Sequence, residues 1–213
     1  MQTIFYIIWA VELLAFLSML AYCRKHRSRA GLVLLVILAA VVLKEGTATF
    51  RLGPWAFHPI AVDLIIFIQW AGYLFMFSMV LKKTKQAIAK AVLGAYVLIT
   101  AAFAWRGLTI GFGHDFIPYL FGATSILTCV LMYFHQEIVQ GNTDVPILKR
   151  FYPLIFGGLF IWIAVDVPVM TSIDYLVANN LNDELMPFLK VKQYAGIFYY
   201  LCYPLALIWS MRN

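Results

Sequence analysis

Charge is scarce in this sequence: only 12% of its 213 residues are Asp, Glu, Lys or Arg, whereas 63% are apolar. A water-soluble domain of this length could not cover so much apolar surface, so lipid must act as solvent for most of the chain. Cysteine is equally thin. Cys23, Cys129 and Cys202 lie far apart and suggest neither a disulfide framework nor a metal cluster, so they read as small packing residues. The four histidines form no HxxxH or HExxH spacing, and no metal is expected. Haem is not expected either, because His58 precedes a proline and His114 sits in the loop RGLTIGFGHD. That glycine-rich loop follows no strand and opens no helix with a nucleotide-binding pattern. No GxSxG occurs, and Ser18, Ser78 and Ser125 have no obvious histidine base. No cofactor is predicted. The sequence also lacks low-complexity segments, linkers and a convincing internal repeat; the missing repeat counts against a two-halved transporter.

What the sequence does have is long apolar runs. A helix needs roughly 20 mainly apolar residues to cross the hydrocarbon core. Seven such helices are expected, at about 3–23, 31–50, 60–81, 87–105, 116–139, 151–176 and 191–211. The fold class is therefore an all-α polytopic membrane protein, with residues 1–213 forming a single seven-helix membrane domain. The stretch 177–190 is expected to be an outer loop holding a small surface helix. The first run reads as a span and not as a cleavable signal, because its positive charge follows the apolar residues.

Basic residues are distributed unevenly between the loops. Eleven of the sixteen fall on one side, at Arg24, Lys25, Arg27, Arg29, Lys82, Lys83, Lys85, Lys90, Lys149, Arg150 and Arg212. The other side carries Arg51, Arg106, Lys190 and Lys192. That bias predicts a cytoplasmic C-terminus and an external N-terminus, most simply in a bacterial inner membrane. Net charge of +6 distributed this way is a topology signal, and no nucleic-acid partner is expected. Helix 7 is read as containing no lysine at all, which excludes a retinal Schiff base there of the microbial-rhodopsin kind despite the matching topology.

An ionisable group at membrane depth costs at least ~2.5–3.5 kcal/mol, so each is a candidate site. Glu12, Lys44, Glu45, Asp63 and Asp166 stand out, and Gln69 adds a polar group deeper in helix 3. Arg51, His58, Arg106, His114 and Asp115 would lie at the outer mouth. Together these groups can line a polar cavity open to the outside, serving as a ligand or proton site. Equally, Lys44 can pair with Glu12 or Asp166 and simply fix helix order. Lys44 and Glu45, being adjacent, point about 100° apart on a helix. Asp166 lies two residues before Pro168, which removes a backbone donor and frees a carbonyl. At the opposite side, His135 and Glu137 end helix 5. They read either as a contact for a cytoplasmic or membrane partner or as a solvated helix end.

Several of these features occur together in one family. Glu12 in helix 1, Glu45 late in helix 2, the YFHQE end of helix 5 (Tyr133 to Glu137), the RFYPLIFGGLFIW start of helix 6 and the FYYLCYP of helix 7 make the pattern. In these the chain resembles a group of small seven-span membrane proteins of Bacteroidetes. The resemblance implies fold and topology and carries no catalytic role. The function expected from the residues is that of a non-enzymatic sensor or accessory subunit. It would bind a small or lipidic ligand in the outer half and act through a separate partner. The alternatives are a proton- or cation-coupled transporter using Glu12, Glu45 and Asp166, or a membrane enzyme acting on lipid.

Overall fold

A computed structural model describes residues 2–50, 59–110, 116–140, 151–179 and 181–211. They form α1 (Gln2–His26), α2 (Arg29–Thr49), α3 (Pro59–Val80), α4 (Lys83–Ile110), α5 (Phe116–Gln140), α6 (Phe151–Ala178) and α7 (Asn182–Met211). Each is long and apolar enough to cross a membrane, and no strand occurs among the described residues. The expected spans are recovered with one substantial correction. Residues 182–190 are not part of a loop with its own small helix; they are the first turns of α7, which begins at Asn182 and continues through Pro187. The reason is that a helix does not end where its apolar run ends. Backbone bonding continues through polar residues once a neighbouring helix supports it. The same extension starts α4 at Lys83 and not at 87.

Consecutive helices run antiparallel, as particular contacts show. Trp9 of α1 donates to the carbonyl of Val42 in α2 at 3.3 Å, while Met19 meets Gly31. Lys82, just before α4, and Lys85, in its first turn, bond to Gln136 and Met132, near the end of α5. The packing order is α1–α2–α3–α5–α6–α7 with α7 closing back on α1, while α4 rests outside this ring against α3 and α5. Accordingly, α4 buries only Ala89 and Tyr96 among its described residues. Outward positions such as Leu43, Leu98, Ile138 and Val139 are exposed, as lipid-facing residues would be.

The interior is filled with large rings: Trp70, Tyr73, Phe77, Phe156, Tyr199 and Tyr203 are essentially inaccessible. Close approach of α6 and α7 depends on Gly158, where a Cβ would fall 2.7 Å from Cys202 Sγ and 3.3 Å from the Tyr199 Cα. The turn from α1 to α2 is equally tight. Arg27 adopts φ 44°, and Ser28 then caps α2 by accepting from Gly31 N at 3.3 Å. A left-handed arginine costs about 1–2 kcal/mol, so this turn is held by what surrounds it.

Candidate functional site

Asp166 is 2% exposed and sits in the half of α6 farther from the end that carries the basic turns. Two helices supply its partners. Lys192 of α7 places Nζ 2.7 Å from Asp166 Oδ1, and the hydroxyl of Tyr119, in α5, donates to Oδ2. Lys192 Nζ also lies 3.1 Å from Met170 Sδ. An ion pair and a phenol therefore fasten three helices at one point. Pro168 follows within the same helix and cannot donate to the carbonyl of Ala164. Its own carbonyl is doubly engaged, accepting from Thr171 Oγ1 at 2.8 Å and Ser172 Oγ at 2.7 Å.

From Tyr119 an aromatic column crosses the bundle. Tyr119 stands edge-on to Trp70 at 5.6 Å, Trp70 stacks on Trp162 at 5.9 Å, and Trp162 stacks on Tyr199 at 5.6 Å. Three buried phenols continue it: the Tyr199 hydroxyl is 2.6 Å from that of Tyr73 and 2.6 Å from that of Tyr203. Gln69 adds a side-chain hydrogen bond to Tyr73. Beside this network, Tyr200 has Glu12 as an electrostatic neighbour. Glu12 is 3% exposed, and its Oε2 has no hydrogen-bond partner among the described residues.

Lys44 does not reach Glu12 or Asp166. It pairs with its own neighbour Glu45, Nζ to Oε1 at 2.6 Å, with both side chains 28% exposed. Two adjacent Cα–Cβ directions do diverge by about 100°, but two long flexible stems can still curl together at a helix surface. Both remain charged neighbours of Glu12. The expected set is thus divided. Asp166 stands with Lys192 and Tyr119, Glu12 lies near Lys44 and Glu45, and Gln69 joins the phenols between them. Asp63 is partly buried near the start of α3, and Arg106 is exposed late in α4. Arg51, His58, His114 and Asp115 lie outside the described residues. At the other end, His135 Nδ1 is 3.0 Å from Lys85 Nζ, and Gln136 Oε1 accepts from Lys82 N at 3.0 Å. The end of α5 is therefore tied to the turn between α3 and α4. No group of three or more His, Cys, Asp or Glu that could hold a metal ion occurs among the described residues.

Lys192 is the residue that the sequence reading misplaced. It is a helix-interior cation, and α7 does contain lysine, at 190 and 192, so absence of lysine is no ground for excluding a Schiff base there. The pairing follows once the structure puts the turn at Asn179, where the sequence suggests a loop over 177–190. Asp166 and Lys192 each stand thirteen residues from Asn179, the turn residue between α6 and α7. In an antiparallel helical hairpin, residues equidistant from the turn share a depth, because both arms rise 1.5 Å per residue. The aromatic column carries no comparable signal, since it depends on which helices meet. No family model, curated protein or solved structure matches this chain.

Proposed function

We propose that this chain is a non-enzymatic membrane sensor or accessory subunit, with its N-terminus outside and its basic end in the cytoplasm of a bacterial cell. The observation that carries the reading is the Asp166–Lys192–Tyr119 junction beside Pro168. It acts as a latch. The outer arms of α6 and α7, joined at Asn179, are pinned at one point. Below it, α6 has lost a helical hydrogen bond and can bend. A ligand whose anionic group competes for Lys192 would favour the unlatched arrangement by the difference in its affinity for the two states. Close packing at Gly158 would then carry the shift toward the basic end, where a partner protein reads it.

The test uses spin labels on the outer turns of α5 and α6 in lipid nanodiscs, with distances measured by pulsed electron paramagnetic resonance. Wild type is expected to give one narrow distribution, and Asp166→Asn to add a second, longer population. An unchanged distribution in that variant would remove the latch and, with it, the sensor reading.

Transport is favoured by a different observation, the buried and half-partnered carboxyl of Glu12 beside the tyrosine network. Liposomes reconstituted with the protein separate the two readings. Proton or cation flux that is lost in Glu12→Gln would establish transport, whereas the sensor reading expects no flux in either protein.

A further inference from the structure

The opposite end of the bundle holds a feature that neither reading uses. A cavity of about 460 Å³ opens where α2 and α4 begin, α3 ends and α6 begins. Its polar wall is Ser28, Arg29, Gln86 and Tyr152, and its apolar wall includes Met79 and Val80. None of its lining residues is acidic. Several of these groups are already fixed in place. Tyr152 and Ser28 share a 2.7 Å hydroxyl contact, and Gln86 Nε2 donates to the Ser78 carbonyl at 2.8 Å. Arg29 is different: it lines the cavity and is exposed. The surrounding turns add Arg24, Lys25 and Arg27 from one side and Lys82 from the other, all exposed.

We infer that this cavity binds a phosphate group, with the headgroup of an anionic phospholipid as its natural occupant. The depth is right, because the cavity lies at the helix ends, where lipid headgroups meet water. The chemistry is right as well. A guanidinium grips two phosphate oxygens at once, and the hydrogen-bonded Tyr152–Ser28 hydroxyl pair, also lining the cavity, has one O–H to donate. Met79 and Val80 give the attached glycerol and first methylenes an apolar surface. A basic pocket between spanning helices is a more selective device than a diffuse cationic surface, which attracts any anionic leaflet without fixing a headgroup. The strained turn at Arg27 supports the same conclusion: its left-handed conformation sets Ser28 and Arg29 at the rim.

Native mass spectrometry of the full chain in detergent tests the site. Phosphatidylglycerol, phosphatidylcholine and inorganic phosphate are titrated separately, and phosphate is then used as competitor. Phosphatidylglycerol is expected to bind saturably and more tightly than phosphatidylcholine, whose choline is repelled by the basic rim. Arg29→Ala should weaken it about tenfold, the loss expected for one charge-assisted contact. Arg24→Ala, which removes the same charge from the same end without touching the cavity, should change it less than about twofold. Val80→Trp, filling the apolar wall, should also displace the lipid. Arg29-dependent binding of inorganic phosphate that competes with lipid would identify soluble phosphate as the source; failure to compete identifies the lipid. Equal losses in Arg24→Ala and Arg29→Ala, or no preference over phosphatidylcholine, would overturn the site.

Discussion

Asp166, Glu12 and Tyr199 show how differently buried polar groups can be treated within one bundle. Asp166 has an ion-pair partner at Oδ1 and a phenol at Oδ2, so removing either side of its ion pair leaves a charge without a counter-charge. Asp166→Ala should cost on the order of 3 kcal/mol, the lower end for buried pairs because Lys192 is 30% exposed. The double variant Asp166→Leu/Lys192→Met should recover most of that loss in thermal unfolding in detergent. Glu12 differs: its Oε2 has no hydrogen-bond partner and no ion pair reaches it among the described residues. Glu12→Leu should therefore raise stability by about 1–3 kcal/mol, the cost of a buried unsatisfied group. A fall in melting temperature would instead mean that Glu12 has a structural partner. Tyr199 bonds the hydroxyls of both Tyr73 and Tyr203, so Tyr199→Phe should destabilise by about 1–3 kcal/mol through the buried hydroxyls it leaves short of a partner. At this scale the sequence was half legible. Glu12 and Asp166 declared themselves because charge in lipid is expensive. Tyr119 and Lys192 did not, because a tyrosine or lysine near a span end reads equally well as an interface residue.

Among the elements, α6 and α7 carry the most information. They share the most extensive interface, Gly158 lets them approach, and Pro168, Pro187 and Pro204 interrupt their backbone ladders. Gly158→Leu should destabilise by about 1–3 kcal/mol through overpacking against Cys202 and Tyr199. Cys202→Ala in that background should restore part of the loss, since it shortens the side chain in the way; both are read from unfolding midpoints. The start of α7 at Asn182 was not legible in the sequence. Hydropathy marks where a helix meets lipid and is silent on how far it continues into the headgroups. The expected small surface helix was the right secondary structure assigned to the wrong unit.

At the scale of the whole molecule, seven spans were readable because lipid demands long uninterrupted apolar runs. Their order around the ring was not. These helices are apolar on most sides, so periodicity does not say which face meets a neighbour and which meets lipid. Alternation does place the end of α1 and the starts of α2, α4 and α6 at one end, together with the exposed basic turns. Single cysteines introduced at Arg24 and Lys82 in a chain stripped of its native three should react with a membrane-impermeant maleimide only in inverted vesicles. One at Asn179 should react only from outside intact cells; the opposite result would invert the proposed topology.

Closure of the ring by α7 against α1 also imposes an order on biosynthesis. The carboxyl of Glu12 enters the membrane with the first helix, while Tyr200, against which it is finally sheltered, belongs to the seventh. Until α7 has been made, the nascent bundle has an open seam with the Glu12 carboxyl group midway along α1. Shielding of that seam by the insertion machinery, or by a chaperone within the bilayer, is the expected consequence. A ribosome stalled just before α7 should therefore hold the chain against such a guardian, and release it once the seventh helix arrives.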